Sequence, residues 1–237
     1  ERKRRLAVLI DADNAQPKII GELLQEAAKY GVATAKRIYG DWTSTHLGGW
    51  KDLLLEHNLQ PMQQFAYTRG KNSTDSAMII DAMDLLYTGN FDGFCIVSSD
   101  SDFTRLASRI REDGLKVIGF GEKKTPTAFI QACDRFIFTE ILREQHEQKP
   151  QDEKERKLQE DKTLIRNLKQ VYDNTAEEDG WAYLGNVGQE ILKVMPQFDS
   201  RNYGYKKLLD LVRSSNMFKI QERSKGGRGT QYYVKLK

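Results

Sequence analysis

Short apolar runs of strand length alternate with stretches of helical spacing through the first 140 residues, and the connections between them are short. This alternation constrains the fold most, because parallel strands need crossover segments and helices are the usual crossovers. The strand-like runs are Leu6–Ile10 (LAVLI), Ala33–Gly40, Leu59–Tyr67, Phe94–Val97, Leu115–Phe120 and Arg135–Phe138. Pro17 opens a helical stretch that ends near Tyr30 and Gly31, with Gly as its stop signal. Further helices are predicted over Trp50–Glu56, over Asp75–Tyr87 before Gly89, and over Asp102–Glu112 before Gly114. The expected class is α/β, a mostly parallel sheet with helices on both faces in three layers.

The pattern changes at Arg143–Lys162, REQHEQKPQDEKERKLQEDK, where Leu158 is the only aliphatic residue. Such a segment cannot bury a core of its own and reads as a linker or an exposed helix. The expected organisation is therefore residues 1–142, a connection over 143–162, and a small domain over 163–237. Within that small domain, helical spacing over Thr163–Asp173, Trp181–Met195 and Tyr205–Ser215 precedes two strands, Phe218–Gln221 and Gln231–Leu236. The turn SKGGRGT joins them. Three helices followed by a β-hairpin make a winged helix.

Several classes are excluded or disfavoured. No apolar run approaches the ~20 residues that span a bilayer, so no membrane association is expected. The start, ERKRRLAVLI, is apolar for only five residues and does not read as a signal peptide. Cys95 and Cys133 sit singly, which argues against a zinc site and a disulfide framework and for a reducing, cytoplasmic setting. Cys95 lies inside FCIV and reads as a core thiol. His46 and His57 show no pairing pattern, and Thr43–Gly49 lacks a phosphate-loop lysine.

Two of the most apolar strands run directly into acids. LAVLI leads to Asp11-Ala12-Asp13-Asn14, and FCIV to Ser98-Ser99-Asp100-Ser101-Asp102. Asp75 follows the polar loop 69–74. In an open parallel sheet, ligands bind beyond the carboxyl ends of the strands. Single Asp residues there often cap helices or form turns. Asp11, Asp100 and Asp102 together at separate strand ends favour a metal site, since converging carboxylates repel and a hard divalent cation relieves them. Asp13 and Asp81 fit less well. Asp81 lies six residues beyond Asp75, about 240° around a helix, so it needs a distorted turn or a supporting role.

The segments LIDADN, KNSTDSAMIID, VSSDSDF and LKVIGFG, in this order, resemble the NYN domain family of PIN-like metal-dependent ribonucleases. The resemblance covers most of residues 5–140. It implies a PIN-like three-layer α/β/α fold and RNA cleavage assisted by Mg²⁺ or Mn²⁺. It also implies that Asp11, Asp75, Asp100 and Asp102 form the catalytic and metal-binding cluster, with Asn14 beside it. Ser99 stands where many members have Gly, which requires a backbone position without positive φ. Lys71 is a candidate phosphate contact, whereas Arg69 reads as a solvated loop charge. PIN-like domains often pair, which makes a homodimer an expectation.

The chain's net charge of +3 hides a strong asymmetry. The last 38 residues carry ten Lys and Arg against two Asp and Glu. Clustered cations release counterions from phosphates, and interleaved aromatics stack on unpaired bases. The candidates for RNA contact are Arg201, Tyr203, Lys206, Lys207, Arg223, Lys225 and Arg228. Of Tyr232 and Tyr233, strand alternation sends one to the core. The segment WAYLGNVGQEILKVMPQFDSRNYGYKKLLDLVRSSNMFKI with GGRGTQYYVKL resembles the OST-HTH, or LOTUS, domain. That resemblance implies a winged helix linked to RNA, including G-rich RNA, with some members binding proteins.

The expected activity is metal-dependent ribonuclease cleavage, with the C-terminal domain holding RNA. The alternative is a non-catalytic RNA-binding adaptor with a PIN-like domain. A phosphatase of the haloacid dehalogenase type is suggested by Asp11-Ala12-Asp13, but Asn14-Ala15 departs from that pattern and no partner lysine is apparent.

Overall fold

Strand β1 (Arg5–Asp11) sits inside the sheet and shows why the fold is layered. In the computed structural model its alternate residues enter two separate cores: Leu6, Val8 and Ile10 one, Ala7 and Leu9 the other. A strand buried on both faces reads as a continuous apolar run, which LAVLI is. The structure describes residues 3–64, 73–143, 150–224 and 230–237. Two compact units result, Glu1–Gln145 and His146–Lys237.

In the first unit β1 is followed by a short turn of helix at Pro17–Ile19, then α1 (Ile20–Ala27), β2 (Val32–Gly40), α2 (Lys51–Glu56) and β3 (Gln60–Gln63). After α3 (Ser73–Tyr87) come β4 (Gly93–Val97), α4 (Thr104–Glu112), β5 (Lys116–Gly121), α5 (Thr127–Ala132), β6 (Arg135–Phe138) and α6 (Glu140–Arg143). The strands form a six-stranded sheet in the order β3-β2-β1-β4-β5-β6, and every described pair is parallel. Side chains of α1, α2 and α6 pack into one core, and those of α3, α4 and α5 into the other. This is the expected α/β/α arrangement. The chain winds outward in both directions from β1 and β4, so their carboxyl ends flank the topological switch point where such sheets bind ligands.

Helices α5 and α6 were not legible in the sequence, being six and four residues long. The helix expected from Pro17 to Tyr30 is shorter, because it opens as a tight turn and its regular part ends at Ala27.

Asp81 faces β2. It accepts hydrogen bonds from the Arg37 guanidinium and the Tyr39 hydroxyl on β2, as its angular offset from Asp75 requires. Burial and the neighbouring Asp81 push the Tyr39 phenol well above its ordinary range.

The second unit comprises α7 (Gln151–Glu160), α8 (Lys162–Thr175), β7 (Ala182–Tyr183), α9 (Leu184–Val194), α10 (Leu208–Ser214), β8 (Phe218–Ser224) and β9 (Thr230–Leu236). Its antiparallel sheet runs β7-β9-β8. Strand β7 was not foreseen, since two residues carry no period. The strand bonds to β9 through Ala182 and Tyr183 and displaces the start of the next helix to Leu184. Over 151–160 the charged segment is helical, one of the two forms expected of it. It forms α7, and Leu158, 1% exposed, packs among Leu164, Leu168 and the rest of this unit's core. Polar contacts help the one aliphatic residue dock the helix: Lys157 donates to the Asn202 carbonyl and lies over the Tyr203 ring, and Gln151 donates to the Ser214 hydroxyl oxygen at 3.2 Å.

Asp161 joins α7 to α8 and has two roles. Its carboxylate accepts from the Leu164 N–H at 2.8 Å as a helix cap, and from the Tyr203 hydroxyl at 2.7 Å. Asp161→Ala removes the cap and leaves a buried phenol unpaired. The expected loss is about 2 kcal/mol of unfolding free energy, read by urea denaturation of the full chain. Among the described residues no helix is long and apolar enough to cross a membrane.

Candidate functional site

Three carboxylates meet at the carboxyl edge of the first unit's sheet. One oxygen from each of Asp75, Asp100 and Asp102 lies within 4.8 Å of the others. Asp75 comes from the first turn of α3. Asp100 and Asp102 come from the turn after β4. Asp100 has extended backbone and its Oδ1 accepts the Asp102 N–H at 2.9 Å, so it caps the tight helical turn Ser101–Phe103 that leads into α4. Asp100 is thus both a helix cap and a member of the cluster. One carboxylate oxygen fixes the turn, and the turn brings Asp102 to the same spot.

Asp11 stands beside this trio rather than in it. It is 1% exposed. Its Oδ2 accepts from the Ser98 hydroxyl at 2.8 Å and from the Asn14 side-chain amide at 2.7 Å, and its Oδ1 accepts from the Asp13 N–H at 3.1 Å. Asn14 is thereby tied to Asp11. Ser98, not singled out in the sequence, links the two strand ends: its hydroxyl donates to Asp11 and accepts the Asp100 N–H at 3.1 Å. The signal available was position alone, since Ser98 is the first residue after FCIV. Ser99 faces elsewhere and accepts the Glu122 N–H at 2.9 Å. Gly121, at the end of β5, lets that strand approach this loop: a Cβ there would lie 2.6 Å from the Ser98 carbonyl oxygen.

The electrostatics of the cluster are unfavourable without a cation. Burial, and then the charges of Asp11, Asp100, Asp102 and Asp13, push the Asp75 carboxyl up to about 7. Burial raises Asp11 as well, although its Ser98 and Asn14 hydrogen bonds oppose the shift. Three acids within 4.8 Å of one another, with the buried Asp11 beside them, match an oxygen-donor site for a hard divalent ion. Lys71 and Arg69 lie outside the described residues.

In the second unit the expected RNA contacts separate into groups. Tyr203 is 9% exposed and bonded to Asp161, so its ring belongs to the core. Arg201 grips Asp199 with two nitrogens, at 3.0 and 2.8 Å. Both are internal contacts that orient the turn before α10, a role that a count of basic and aromatic residues cannot distinguish from RNA binding. Lys206 and Lys207 are exposed ahead of α10. Arg223 lies over the Tyr233 ring, 4.1 Å from its centroid. Lys225 and Arg228 lie outside the described residues. Tyr232 packs against the core and Tyr233 does not.

The family model described as NYN domain matches residues 5–142, and that described as OST-HTH/LOTUS domain matches residues 156–229. No curated protein matches the sequence. Among solved structures, a protein of unknown function from Vibrio parahaemolyticus is similar at 19% identity, over 57% of this chain and 93% of that one, with a TM-score of 0.49. An uncharacterized protein from Nitrosomonas europaea is similar at 38% identity, over 30% of this chain and 70% of that one, with a TM-score of 0.28.

Proposed function

The chain belongs to the NYN domain family and carries an OST-HTH/LOTUS domain behind it, and from this premise we propose that it is a ribonuclease dependent on Mg²⁺ or Mn²⁺. The observation that carries the proposal is the convergence of Asp75, Asp100 and Asp102 within 4.8 Å at the switch point of the sheet. In this reading Asp75, Asp100 and Asp102 hold the cation, and the buried Asp11 adds to the negative field. When bound, a divalent cation supplies charge stabilisation for a phosphodiester and lowers the pKa of water. The protein's part is orientation. Ser98 ties Asp11 to the Asp100 backbone, Asn14 bonds the same Asp11 oxygen, and the Asp100 cap sets Asp102. The first domain then cleaves, the second holds RNA, and the residues between 142 and 163 connect them. Lys71, Lys206, Lys207, Lys225 and Arg228 remain proposed phosphate contacts, and a homodimer or a protein partner of the second domain is compatible with this scheme.

The test is a titration of Mg²⁺ and Mn²⁺ against end-labelled structured and G-rich RNAs. Cleavage that needs the ion and stops with EDTA is expected. Binding without cleavage at any ion concentration would establish the adaptor instead. A finer expectation concerns Ser98→Ala. The fold should persist, while cleavage and Mn²⁺ affinity both fall about 10- to 100-fold because the supporting hydrogen bonds are lost. Isothermal titration with Mn²⁺ alone separates this from a general loss of stability.

A further inference from the structure

We infer that the outer face of the second domain's sheet, rather than its last helix, is the platform on which single-stranded RNA stacks. The inference rests on the reading of this domain as the RNA holder and names the surface that does it. Strand alternation sorts the sheet into two faces. Ala182, Phe218 and Val234 turn inward, at 0%, 5% and 1% exposure. The residues between them turn outward. The register sets Tyr183 and Gln221 on either side of Tyr233, and Lys219 opposite Lys235.

The outer face is aromatic and cationic together. The Tyr183 and Tyr233 ring centroids are 5.6 Å apart. The Arg223 guanidinium lies 4.1 Å from the Tyr233 centroid and 5.7 Å from that of Trp181. Gln221 accepts from Arg223 at 3.0 and 3.1 Å, and Asp179 at the margin pairs with it at 3.2 Å, which orients the guanidinium over the ring. The guanidinium covers the Tyr233 ring, so an incoming base meets the Arg223 plane supported by Tyr233, with Trp181 and Tyr183 at its sides; Lys219 and Lys235, the latter bonded to the Asp179 carbonyl at 2.9 Å, lie on the same face. Aromatic rings and arginine planes stack unpaired bases of any sequence, and adjacent cations neutralise the backbone. A duplex keeps its bases stacked inside and offers this face only phosphates. The charge and the rings therefore favour single-stranded RNA.

The experiment uses the full chain in EDTA, with fluorescence anisotropy of a labelled oligo(rA) dodecamer and of a blunt RNA duplex. Tyr233→Ala is expected to weaken single-strand binding about tenfold, while Tyr233→Phe, which keeps the ring, retains it. Arg223→Gln preserves the strands and should weaken binding several-fold, with a salt slope lower by about one. The oligo(rA) should also quench Trp181, and Trp181→Phe should remove that quenching. The inference fails if Tyr233→Ala and Arg223→Gln bind as the unaltered chain does, or if the duplex binds more tightly than the single strand. Loss of binding only in a Lys206→Gln/Lys207→Gln variant would move RNA to the helix face, overturning this inference and leaving the RNA-holding role intact. Failure of the unaltered chain to bind any RNA would overturn both.

Discussion

Asp100→Asn should lower metal-supported RNA cleavage by about 10³-fold, roughly 4 kcal/mol of barrier, with RNA affinity in EDTA unchanged. The substitution is nearly isosteric. Asn keeps an oxygen to accept the Asp102 N–H at 2.9 Å, so the capped turn survives, and only one negative charge leaves the trio. A variant that loses cleavage but not fold or RNA affinity isolates the charge as the cause. Single-turnover cleavage with Mn²⁺, anisotropy in EDTA and a thermal melt together make the measurement. Cleavage by the variant at the unaltered rate, with or without metal, would sink the proposed site.

The second large effect is on stability and has the opposite sign. The Asp75 carboxyl titrates near 7 in the folded chain and near 3.8 when unfolded. Between those values the folded state binds the extra proton, so stability falls as pH rises from about 4 to about 7 and then levels off. The metal-free protein should therefore melt lower at pH 8 than at pH 5.5. Asp75→Asn should remove most of this dependence and raise the melting temperature at pH 8 by roughly 5 °C, a gain on the order of 2 kcal/mol. Cleavage should be lost in the same variant. Mn²⁺ should stabilise the unaltered chain more at pH 8 than at pH 5.5, because the cation and the proton compete for one carboxylate. A flat stability profile in EDTA, or a less stable Asp75→Asn protein at pH 8, would show that the carboxylates do not strain the fold.

Much of the architecture was readable because buried parallel strands announce themselves. LAVLI and FCIV are uninterrupted apolar runs, and their first polar residues fall at the sheet edge. The acids there could be identified as a set, but not ranked. Asp75, Asp100 and Asp102 share one spot, whereas Asp11 supports it through Ser98 and Asn14. That distinction depends on side-chain direction beyond the strand ends. Asp81 could be set apart from Asp75 by helix geometry alone, yet its partners Arg37 and Tyr39 belong to β2 and are more than forty residues distant in sequence.

The C-terminal domain shows the opposite balance. Its excess of cations is plain in the sequence, and counting them made Arg201 and Tyr203 as attractive as Arg223. Folding separates them. Arg201 and Tyr203 are drawn inward by Asp199 and Asp161, while Arg223 meets Tyr233 across two strands whose register fixes the pair.

The sequence by itself determined the layering, the division of charge between the two halves and the placing of acids at strand ends. Each of these follows from local periodicity and composition. Only the tertiary structure decided which carboxylates converge, that Ser98 joins two strand ends, and which aromatic rings face outward with a cation over them. Those outcomes depend on strand order and register, which bring together residues that no local pattern connects.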